Sequence, residues 1–455
     1  MVQSPPILSL QSPKDVSLSE IEEELRHIWQ SYSTTDNNTD VPSAVRATTF
    51  TLVVYEPEET QMLLSALGYY SGPIDGIIGP RMFAAIKAAQ KTYGLPRTGK
   101  ADDKTKEKLR EEYNERHQQE VNGNGQTRRQ PYSADIEGSG IADAIAAANP
   151  CRIIALCPIV GEDEGVTAQV SASCPMQKHS QSTLVCCEYI TLSGTPAALE
   201  RIGGMICELM ISDLPQFIWW KGTPDPDYGL FKRLAGISNN VIVDSSAFQK
   251  PEEALARLQQ FITQDIPMAD LNWQRLASWQ ELAAEAFDPP ERRSALKEVD
   301  QVTIDYEQGN SAQALMFLGW LASRLQWRPV SYSKEGGEYD IRRVKFTTHE
   351  HRPVEAELAG IPTADVGEVA GDLISLRLGS TNMDADCCTV LCSETTGCMR
   401  MEAHGGAQSC RIQQVTPMFD QKTEQLLSQQ LQRWSRDLLY EESLAVTGQI
   451  MKAKS

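Results

Sequence analysis

The sequence predicts an open α/β sheet domain with an inserted all-α three-helix module, followed by an α+β domain built on an antiparallel sheet. Strand-like apolar runs alternate with helical stretches up to about residue 290, a helical segment punctuated by Gly and Asp interrupts them, and strand-like runs dominate the rest. We expect the α/β domain in residues 1–56 and 137–288, the module in 57–117, a flexible linker in 118–136 and the α+β domain in 289–455.

The predicted α/β domain begins with the amphipathic helix SLSEIEEELRHIWQSY, in which Ser19 and Glu22 fit a capping box. The run TLVVYEP then reads as a buried strand. After the insert, the strands CRIIALCPIV, STLVCCEYITLSG, PQFIWWKG and NNVIVDSS alternate with helical stretches. We therefore expect an open sheet with helices on both faces, and Trp219 and Trp220 in its core.

The insert reads as three helices separated by turns. Its stretches LSALGYYSGPIDGIIG, from Leu64 to Gly79, and AIKAAQ, from Ala85 to Gln90, resemble the peptidoglycan-binding-like family of small three-helix domains. The resemblance implies the fold more strongly than the activity, because Gly and Asp at these positions suit a tight turn. Wall binding would need export, so we favour a cytoplasmic interaction module or an evolutionary relic.

The C-terminal part changes pattern at about residue 290. It begins with the strand EVDQVTIDYEQ and the helix SAQALMFLGWLASRLQW, and continues as strands from RRVKFTTHEH to SCRIQQVTP, joined by polar turns. A final helix is predicted from about Lys422 to Glu442. Strands in this arrangement favour an antiparallel sheet covered by the two helices.

Charge and the N-terminus limit the possible partners. The net charge is -19, from 42 basic and 61 acidic residues. Such a surface repels phosphate backbones and anionic lipids, so we expect no binding to nucleic acid or membranes. The N-terminal stretch MVQSPPILSLQSPKD does not resemble a signal peptide, which predicts a cytoplasmic protein.

Motifs for catalysis are missing from the sequence. None of the six histidines lies beside a Ser or Cys in a recognisable nucleophile motif, and no G-x-G-x-x-G follows the first strand. We therefore predict no catalytic residue, no cofactor and no metal. An active site assembled from residues distant in sequence, on the α/β sheet, stays open as an alternative.

The chain has 11 cysteines, and four of them lie in DCCTVLCSETTGC, residues 386–398. Cys392 ends one predicted strand and Cys398 begins the next, so we expect the hairpin to place them opposite each other. At that spacing a strained, reducible disulfide could form, although free thiols fit equally well. A zinc site is disfavoured because C-x-x-C pairs are missing. The cysteines of the α/β domain, including Cys151, Cys174, Cys186 and Cys187, read as small core residues.

The stretch DLNWQRLASWQEL combines aromatic and charged residues, which suit either core packing or an anchor for a partner protein. Together with RATTFTLVVYE, ANPCRIIALCP, LPQFIWWKG and VIVDSS, it resembles the glucose-6-phosphate dehydrogenase assembly protein family, OpcA. The signature D-L-N-W-x-R-x-x-x-W runs from Asp270 to Trp279, and the insert is similar to the cyanobacterial form of the family.

The resemblance implies a non-catalytic protein that binds glucose-6-phosphate dehydrogenase, favours its active oligomer and raises its activity in the oxidative pentose phosphate pathway. The candidate partner-binding residues are Asp270, Asn272, Trp273, Arg275 and Trp279. We further predict a redox switch at Cys392 and Cys398, where transient reduction by thioredoxin loosens the complex. The alternatives are a cytoplasmic enzyme of unknown substrate and a cell-wall-binding protein.

Overall fold

A computed structural model describes residues 7–33, 43–46, 48–56, 59–70, 80–102, 104–112, 150–158, 163–175, 183–248, 250–362, 369, 371–382, 384–385, 387–394, 398–404, 412–417 and 423–453. The chain divides into two compact units. The first comprises Met1–Val243 and Thr423–Trp434, and the second comprises Asp244–Lys422 and Ser435–Ser455. The second unit begins before the predicted boundary at residue 289, because residues 244–288 make most of their contacts within it.

The first unit contains a sheet and helices around it. Its strands are β1 (Ile7–Val16), β2 (Ser43–Arg46), β3 (Thr51–Tyr55), β4 (Arg152–Pro158), β5 (Val166–Pro175), β6 (Thr183–Gly194), β7 (Gln216–Trp220) and β8 (Asn240–Val243). Its helices are α1 (Ile21–Ser33), α2 (Glu59–Ala66), α3 (Pro80–Thr92), α4 (104–112), α5 (Pro196–Arg201), α6 (Gly203–Leu209), α7 (Gly229–Ala235) and, much later in the chain, α13 (Thr423–Gln430).

The sheet of the first unit has the strand order β1-β5-β6-β4-β3-β7-β8, with β2 pairing beside β6. The strands from β6 to β8 are parallel, whereas β5 and β1 add antiparallel strands at one edge. Every residue of β3, β4 and β7 is buried, which explains their unbroken apolar sequences. The predicted α/β architecture is confirmed. The sheet is mixed, because the hairpin of β5 and β6 adds an antiparallel strand beside the parallel ones.

The N-terminal helix α1 packs through Ile21, Leu25 and Ile28, which are at most 3% exposed. A capping box joins Ser17 and Glu20 just before α1. The predicted pair, Ser19 and Glu22, has the same S-x-x-E spacing and lies two positions later. The preceding strand β1 was not expected from ILSLQSPKDV, which is polar, as edge strands often are.

The buried guanidinium of Arg152 connects α1 to the sheet. Arg152 contacts the Glu188 carboxylate at 2.8 Å and Glu22 of α1 at 2.5 Å. The Trp29 indole Nε1 also donates a hydrogen bond to Glu188, at 2.5 Å. One buried carboxylate therefore holds both β4 and α1 in place.

Helices α2, α3 and α4 lie within the segment predicted as a three-helix module. They share a hydrophobic cluster formed by Leu63, Leu64, Leu67, Tyr70, Met82, Ala85, Ile86, Ala89 and Leu109. Gln90 is also buried, and its amide contacts Thr98, Gly99, Lys100 and Thr105. The turn that carries Gly72, Asp75, Gly76 and Gly79, and the predicted linker, lie outside the described residues.

The second unit contains a sheet of eight strands, which are β10 (Gln301–Glu307), β11 (Arg328–Gly336), β12 (Ile341–Thr347), β13 (Pro353–Ile361), β14 (Leu373–Gly379), β15 (Cys388–Glu394), β16 (Cys398–His404) and β17 (Ile412–Pro417). The unit also contains β9 (Met268–Asp270), a short strand outside that sheet. Its helices are α8 (Pro251–Thr263), α9 (Leu271–Gln274), α10 (Ala277–Glu285), α11 (Pro290–Arg293), α12 (Ala312–Arg324) and α14 (Leu438–Lys452).

The sheet of the second unit has the strand order β11-β12-β13-β10-β14-β15-β16-β17. Its neighbours are antiparallel except β10 and β13, which run parallel. Our prediction of a purely antiparallel sheet is therefore wrong for one pair of neighbouring strands. The helix α12 carries the chain away from β10, and two hairpins then return it beside β10 in the same direction.

The predicted C-terminal helix is two helices. α13 ends at Gln430, and α14 begins at Leu438 after Asp437, whose carboxylate accepts a hydrogen bond from Tyr440 N at 3.0 Å. The N-cap Asp437 thus lies inside the segment that we predicted as one helix, and it separates the two helices. α14 has 15 residues, and no helix in the described parts of the chain is long and apolar enough to cross a membrane.

Candidate functional site

The strand order of the first unit reverses direction between β3 and β7. From β3 the chain proceeds to β4 and β6 on one side, and later to β7 and β8 on the other. In open parallel sheets, ligands bind outside the carboxyl ends of the strands at this position. Tyr55 and Trp220 form the last register pair of β3 and β7, and Glu56 and Lys221 follow them. These four residues therefore lie where a ligand crevice is expected.

Side chains of the protein itself occupy this position. The rings of Tyr55 and Trp220 stack with their centroids 3.8 Å apart and their planes at 7°. Lys221 Nζ lies 2.5 Å from Glu56 Oε1 and 4.3 Å from the centre of the Trp219 ring. All five residues are at most 8% exposed. The aromatic stack and the ion pair thus fill the described part of the crevice, and the prediction that Trp219 and Trp220 are core residues is confirmed.

The two tyrosines at this position are protonated at neutral pH. Burial raises the pKa of Tyr55 to about 12, an effect only partly offset by its hydrogen bond with Tyr228. Burial also raises the pKa of Tyr228. A tyrosine with so high a pKa keeps its proton at neutral pH, and it cannot serve as a general base there.

The signature residues form a buried polar network in the second unit. Asp270 is the N-cap of α9, and its Oδ1 accepts hydrogen bonds from Asn272 N at 2.9 Å and Ser245 N at 3.0 Å. Asn272 Nδ2 donates to Ser245 Oγ at 3.1 Å. Asp270 and Asn272 are 1% and 0% exposed. Both side chains hold the start of α9 against the segment that follows Val243.

Arg275 is the cation of this network. Its Nη1 and Nη2 each lie 2.8 Å from a different oxygen of Asp244, and both side chains are less than a tenth exposed. Gln313 Nε2 of α12 joins the network by donating to Asn272 Oδ1 at 2.8 Å and to Asp372 Oδ1 at 2.6 Å. Burial would raise the pKa of Asp244, but Arg275 outweighs that effect and holds the pKa below its usual value.

The two tryptophans of the signature are also buried. Trp273 Nε1 donates to Asp437 Oδ2 at 3.1 Å, and its ring lies 5.6 Å from that of Tyr440 in α14. Trp273 and Trp279 are 5% and 3% exposed. A buried side chain cannot contact a partner unless its surroundings open, so this geometry favours a structural role for all five signature residues. Their contact with a partner stays a prediction.

The buried Asp270 carboxylate should make stability depend on pH. Burial and the nearby charge of Asp244 raise its pKa to about 6 from 3.8. As the pH rises from about 4 to 6, the native state must release a proton that the unfolded chain has already lost. We therefore expect Asp270 to lower the free energy of unfolding over this range, by roughly 3 kcal/mol once it is fully ionised.

Asp270→Asn keeps an oxygen to cap α9 and removes this titration. The free energy of unfolding of the variant minus that of the wild type should rise between pH 4 and pH 7, as measured by guanidinium denaturation at each pH. The same substitution at the exposed Asp288, which lies outside the buried network, provides the control. A flat difference for Asp270→Asn would contradict the raised pKa.

The structure revises the predicted cysteine pair. In the hairpin of β15 and β16, Cys392 pairs with Arg400 and Cys398 pairs with Glu394. The expectation that the two cysteines lie directly opposite each other is therefore wrong, because strand pairing continues to Glu394 and Cys398 and leaves three residues between the strands where we expected five. Cys392 is half-buried and not in a disulfide.

A disulfide does occur elsewhere, between Cys174 of β5 and Cys186 of β6. Both residues are 0% exposed and pack against Leu10 and Trp29. The interpretation of these two cysteines as simple core residues is wrong, because the antiparallel pairing of β5 and β6 places them side by side. Cys151 and Cys187 are buried and outside any disulfide, as expected of small core residues, with Cys151 N lying 3.4 Å from Cys187 Sγ.

Sequence reasoning missed several residues of these clusters. Glu56 and Lys221 could have been found, because each is a charged residue directly after a buried strand. Asp244 follows the strand NNVIV in the same way. Gln313 and Asp372 have no comparable signal, since only the packing of α12 brings them to the network.

Comparison with known proteins identifies the family. Residues 142–260 match the model for the N-terminal domain of the glucose-6-phosphate dehydrogenase subunit, and residues 266–444 match that for its C-terminal domain. An OxPP cycle protein OpcA from Nostoc punctiforme is 63% identical over 454 residues, covering 99% of this chain and 96% of that protein. The chain belongs to the OpcA family.

A second OpcA, from Synechocystis, is 59% identical and is matched over 99% of this chain and 94% of its own length. The OpcA resemblance that we drew from the signature is therefore confirmed. Residues 56–109 match a peptidoglycan binding domain. Among solved structures, a 3-ketoreductase from Actinomadura kijaniata with bound NADP is 11% identical, with a TM-score of 0.38 over 58% of this chain and 81% of that one. A TM-score this low gives no information on activity.

Proposed function

We propose that this chain binds glucose-6-phosphate dehydrogenase and acts as a non-catalytic activator that favours the active oligomer of the enzyme. The observation that carries the proposal is the match to OpcA proteins over nearly their whole length, together with the two family models named for the dehydrogenase subunit. We place this activity in the cytoplasm, in the oxidative pentose phosphate pathway.

The filled crevice of the first unit supports the non-catalytic part of the proposal. A sheet that holds a substrate or dinucleotide at its carboxyl edge needs space there, and Tyr55, Trp220 and the pair Glu56–Lys221 occupy that space. An enzyme using the α/β sheet would have to displace a stacked aromatic pair and a buried ion pair. This disfavours the alternative of an enzyme acting there.

Activation needs only a difference in affinity. If the chain binds the active oligomer of the dehydrogenase more tightly than the inactive form, binding shifts the equilibrium by the ratio of the two affinities. A hundredfold ratio, about 2.7 kcal/mol, is enough to convert a minor active form into the major one. The activator itself needs no contact with the substrate.

We also propose that residues 57–117 form an inserted interaction module with a flexible linker at 118–136. The shared hydrophobic cluster of α2, α3 and α4 supports an independently packed module. The match to a peptidoglycan binding domain describes its fold family and leaves its ligand open.

A redox switch at Cys392 and Cys398 is the regulatory part of the proposal. The two residues lie on neighbouring strands and are offset diagonally by two positions. Diagonal neighbours have Cα atoms roughly 7–8 Å apart, at the upper limit for a disulfide, so the bond would need a shift of the hairpin and would be readily reduced. The thioredoxin dithiol would supply two electrons and two protons, forming two thiols here and a disulfide in thioredoxin.

The test is to titrate the chain into purified glucose-6-phosphate dehydrogenase at subsaturating substrate, after oxidation and after reduction by thioredoxin. We expect the oxidised chain to raise the rate several-fold and the reduced chain to raise it less. Cys392→Ser with Cys398→Ser should remove the redox difference, whereas Cys151→Ser, at a buried thiol, should not. Activation independent of redox state would remove the switch only, and no activation in either state would refute the proposed function.

A further inference from the structure

One buried arginine of the second unit has no carboxylate beside it among the described residues. Other cationic side chains that are less than a tenth exposed lie within 3.1 Å of a carboxylate oxygen: Arg152 at Glu188, Lys221 at Glu56, Arg275 at Asp244 and Arg342 at Glu252. Arg292 of α11 is 1% exposed and forms no ion pair with any residue that the structure describes. It is therefore an exception among the buried cations of this protein.

The contacts of Arg292 leave most of its donors unused. Its Nη2 donates a hydrogen bond to Thr389 Oγ1 of β15 at 3.1 Å, and Thr389 in turn donates to Cys387 O at 3.3 Å. The guanidinium carbon lies 5.5 Å from the centre of the Phe287 ring, a contact that favours a cation without adding a negative charge. Nε and Nη1 are both buried, and neither donates to any atom of the described residues.

An unpaired guanidinium in a protein interior needs compensation. Arginine keeps its charge where a buried lysine or carboxyl group can become neutral. Burying a charge without a partner lowers the stability of the native state, because the charge loses its hydration and gains nothing in return. A neutral hydroxyl and an aromatic ring replace only part of that hydration. An anion taken from solution would supply the charge and the acceptor atoms that Arg292 lacks.

The unused donors of Arg292 fit an oxyanion. A guanidinium presents two edges with paired N–H groups, one formed by Nε with Nη2 and the other by Nη1 with Nη2. Thr389 accepts from Nη2, which has two hydrogens, and Nε and Nη1 are both unused. Whichever hydrogen of Nη2 Thr389 takes, one edge therefore keeps both of its donors. Such an edge holds two oxygens of a phosphate group or a carboxylate in parallel hydrogen bonds.

We propose that Arg292 binds a small oxyanion, a phosphate group or a carboxylate, between α11 and β15 of the second unit. The anion accepts two hydrogen bonds from the guanidinium and neutralises its charge, while Thr389 and Phe287 hold the guanidinium in place. Arg292 is covered in this structure, so entry of the anion requires a local movement of α11, which has four residues. The site gives the protein a small-molecule ligand, which the proposed function does not include.

The test is to measure the Tm of the full chain while phosphate, acetate or chloride is titrated in at equal ionic strength. At a hundredfold excess over its Kd, the bound oxyanion should raise the Tm by roughly 5 °C above the value in chloride. Arg292→Met should abolish this rise, and its Tm in chloride should equal or exceed that of the wild type, because an apolar side chain replaces an unpaired charge. Arg292→Lys should weaken binding at least tenfold, since an ammonium cannot make the paired contact. Arg293→Met, at an exposed position of the same helix, is the matched control and should keep the full rise.

The outcomes decide both the site and its ligand. A rise in phosphate alone identifies a phosphate group, and a rise in acetate alone identifies a carboxylate. The site is refuted if the wild type melts at the same temperature in all three salts. It is also refuted if Arg292→Met and Arg292→Lys keep the rise, because oxyanions then stabilise the chain by a general salt effect. Should Arg292→Met fail to fold, Arg292→Lys alone decides. None of these measurements involves the dehydrogenase, so the result is independent of the proposed function.

Discussion

Replacing Arg275 by Ala should lower the free energy of unfolding by roughly 3–5 kcal/mol. The guanidinium forms a bidentate pair with Asp244 at 2.8 Å in the interior of the second unit, where Asp270 adds a second carboxylate. If Arg275 is replaced, the carboxylates of Asp244 and Asp270 stay buried but lose the positive charge of the guanidinium. Guanidinium denaturation, followed by tryptophan fluorescence, would measure the loss.

A matched control comes from Arg436, which pairs with Asp265 and Glu441 at the surface. Arg436→Ala should cost less than about 1 kcal/mol, because water screens exposed pairs. Arg275→Lys should give an intermediate loss, since one ammonium cannot reproduce the bidentate contact. Equal effects of the Arg275 and Arg436 substitutions to Ala would contradict the structural role of the signature arginine.

Lys221→Met should have a similarly large effect in the first unit. The substitution leaves the Glu56 carboxylate, 6% exposed, without the ammonium that now lies 2.5 Å away. The expected loss is again about 3–5 kcal/mol in the free energy of unfolding.

The double variant Glu56→Leu with Lys221→Met tests the reason for the loss. Well-packed apolar residues often replace a buried ion pair at little cost, so most of the stability should return. Activation of glucose-6-phosphate dehydrogenase should also persist in the double variant, because the filled crevice takes no part in the proposed function. If the double variant were as unstable as Lys221→Met, lost packing would be the cause and the buried charge would not.

The elements that the sequence predicted best are those whose residues are buried as a continuous run. The strands β3 and β7 could be recognised from LVVY and FIWW, because strands buried on both faces lose the polar alternation of a surface strand. The break before α14 was missed, although Asp437 is a good N-cap residue, because apolar residues continue through Leu431, Trp434 and Leu438.

Register and pairing could not be predicted. The spacing of Cys392 and Cys398 suggested a hairpin with five residues in its turn, but the strands pair up to Glu394 and Cys398, so the two cysteines are offset by two positions. The disulfide of Cys174 and Cys186 depends in the same way on how β5 and β6 align. For the signature, the sequence identified the residues but left core packing and a partner anchor both open, because aromatic and charged residues together suit either role. Their partners come from segments far along the chain.

The two compact units are interlaced along the chain, which matters during protein synthesis. The chain leaves the first unit after Val243 and returns to it only at Thr423–Trp434, where α13 supplies the buried Leu426 and Leu427. The first unit therefore cannot finish folding while the ribosome is making the second. The apolar surface that α13 covers stays uncovered until nearly the whole polypeptide has been made. A gene cut at Val243 would yield a fragment that lacks part of its own core.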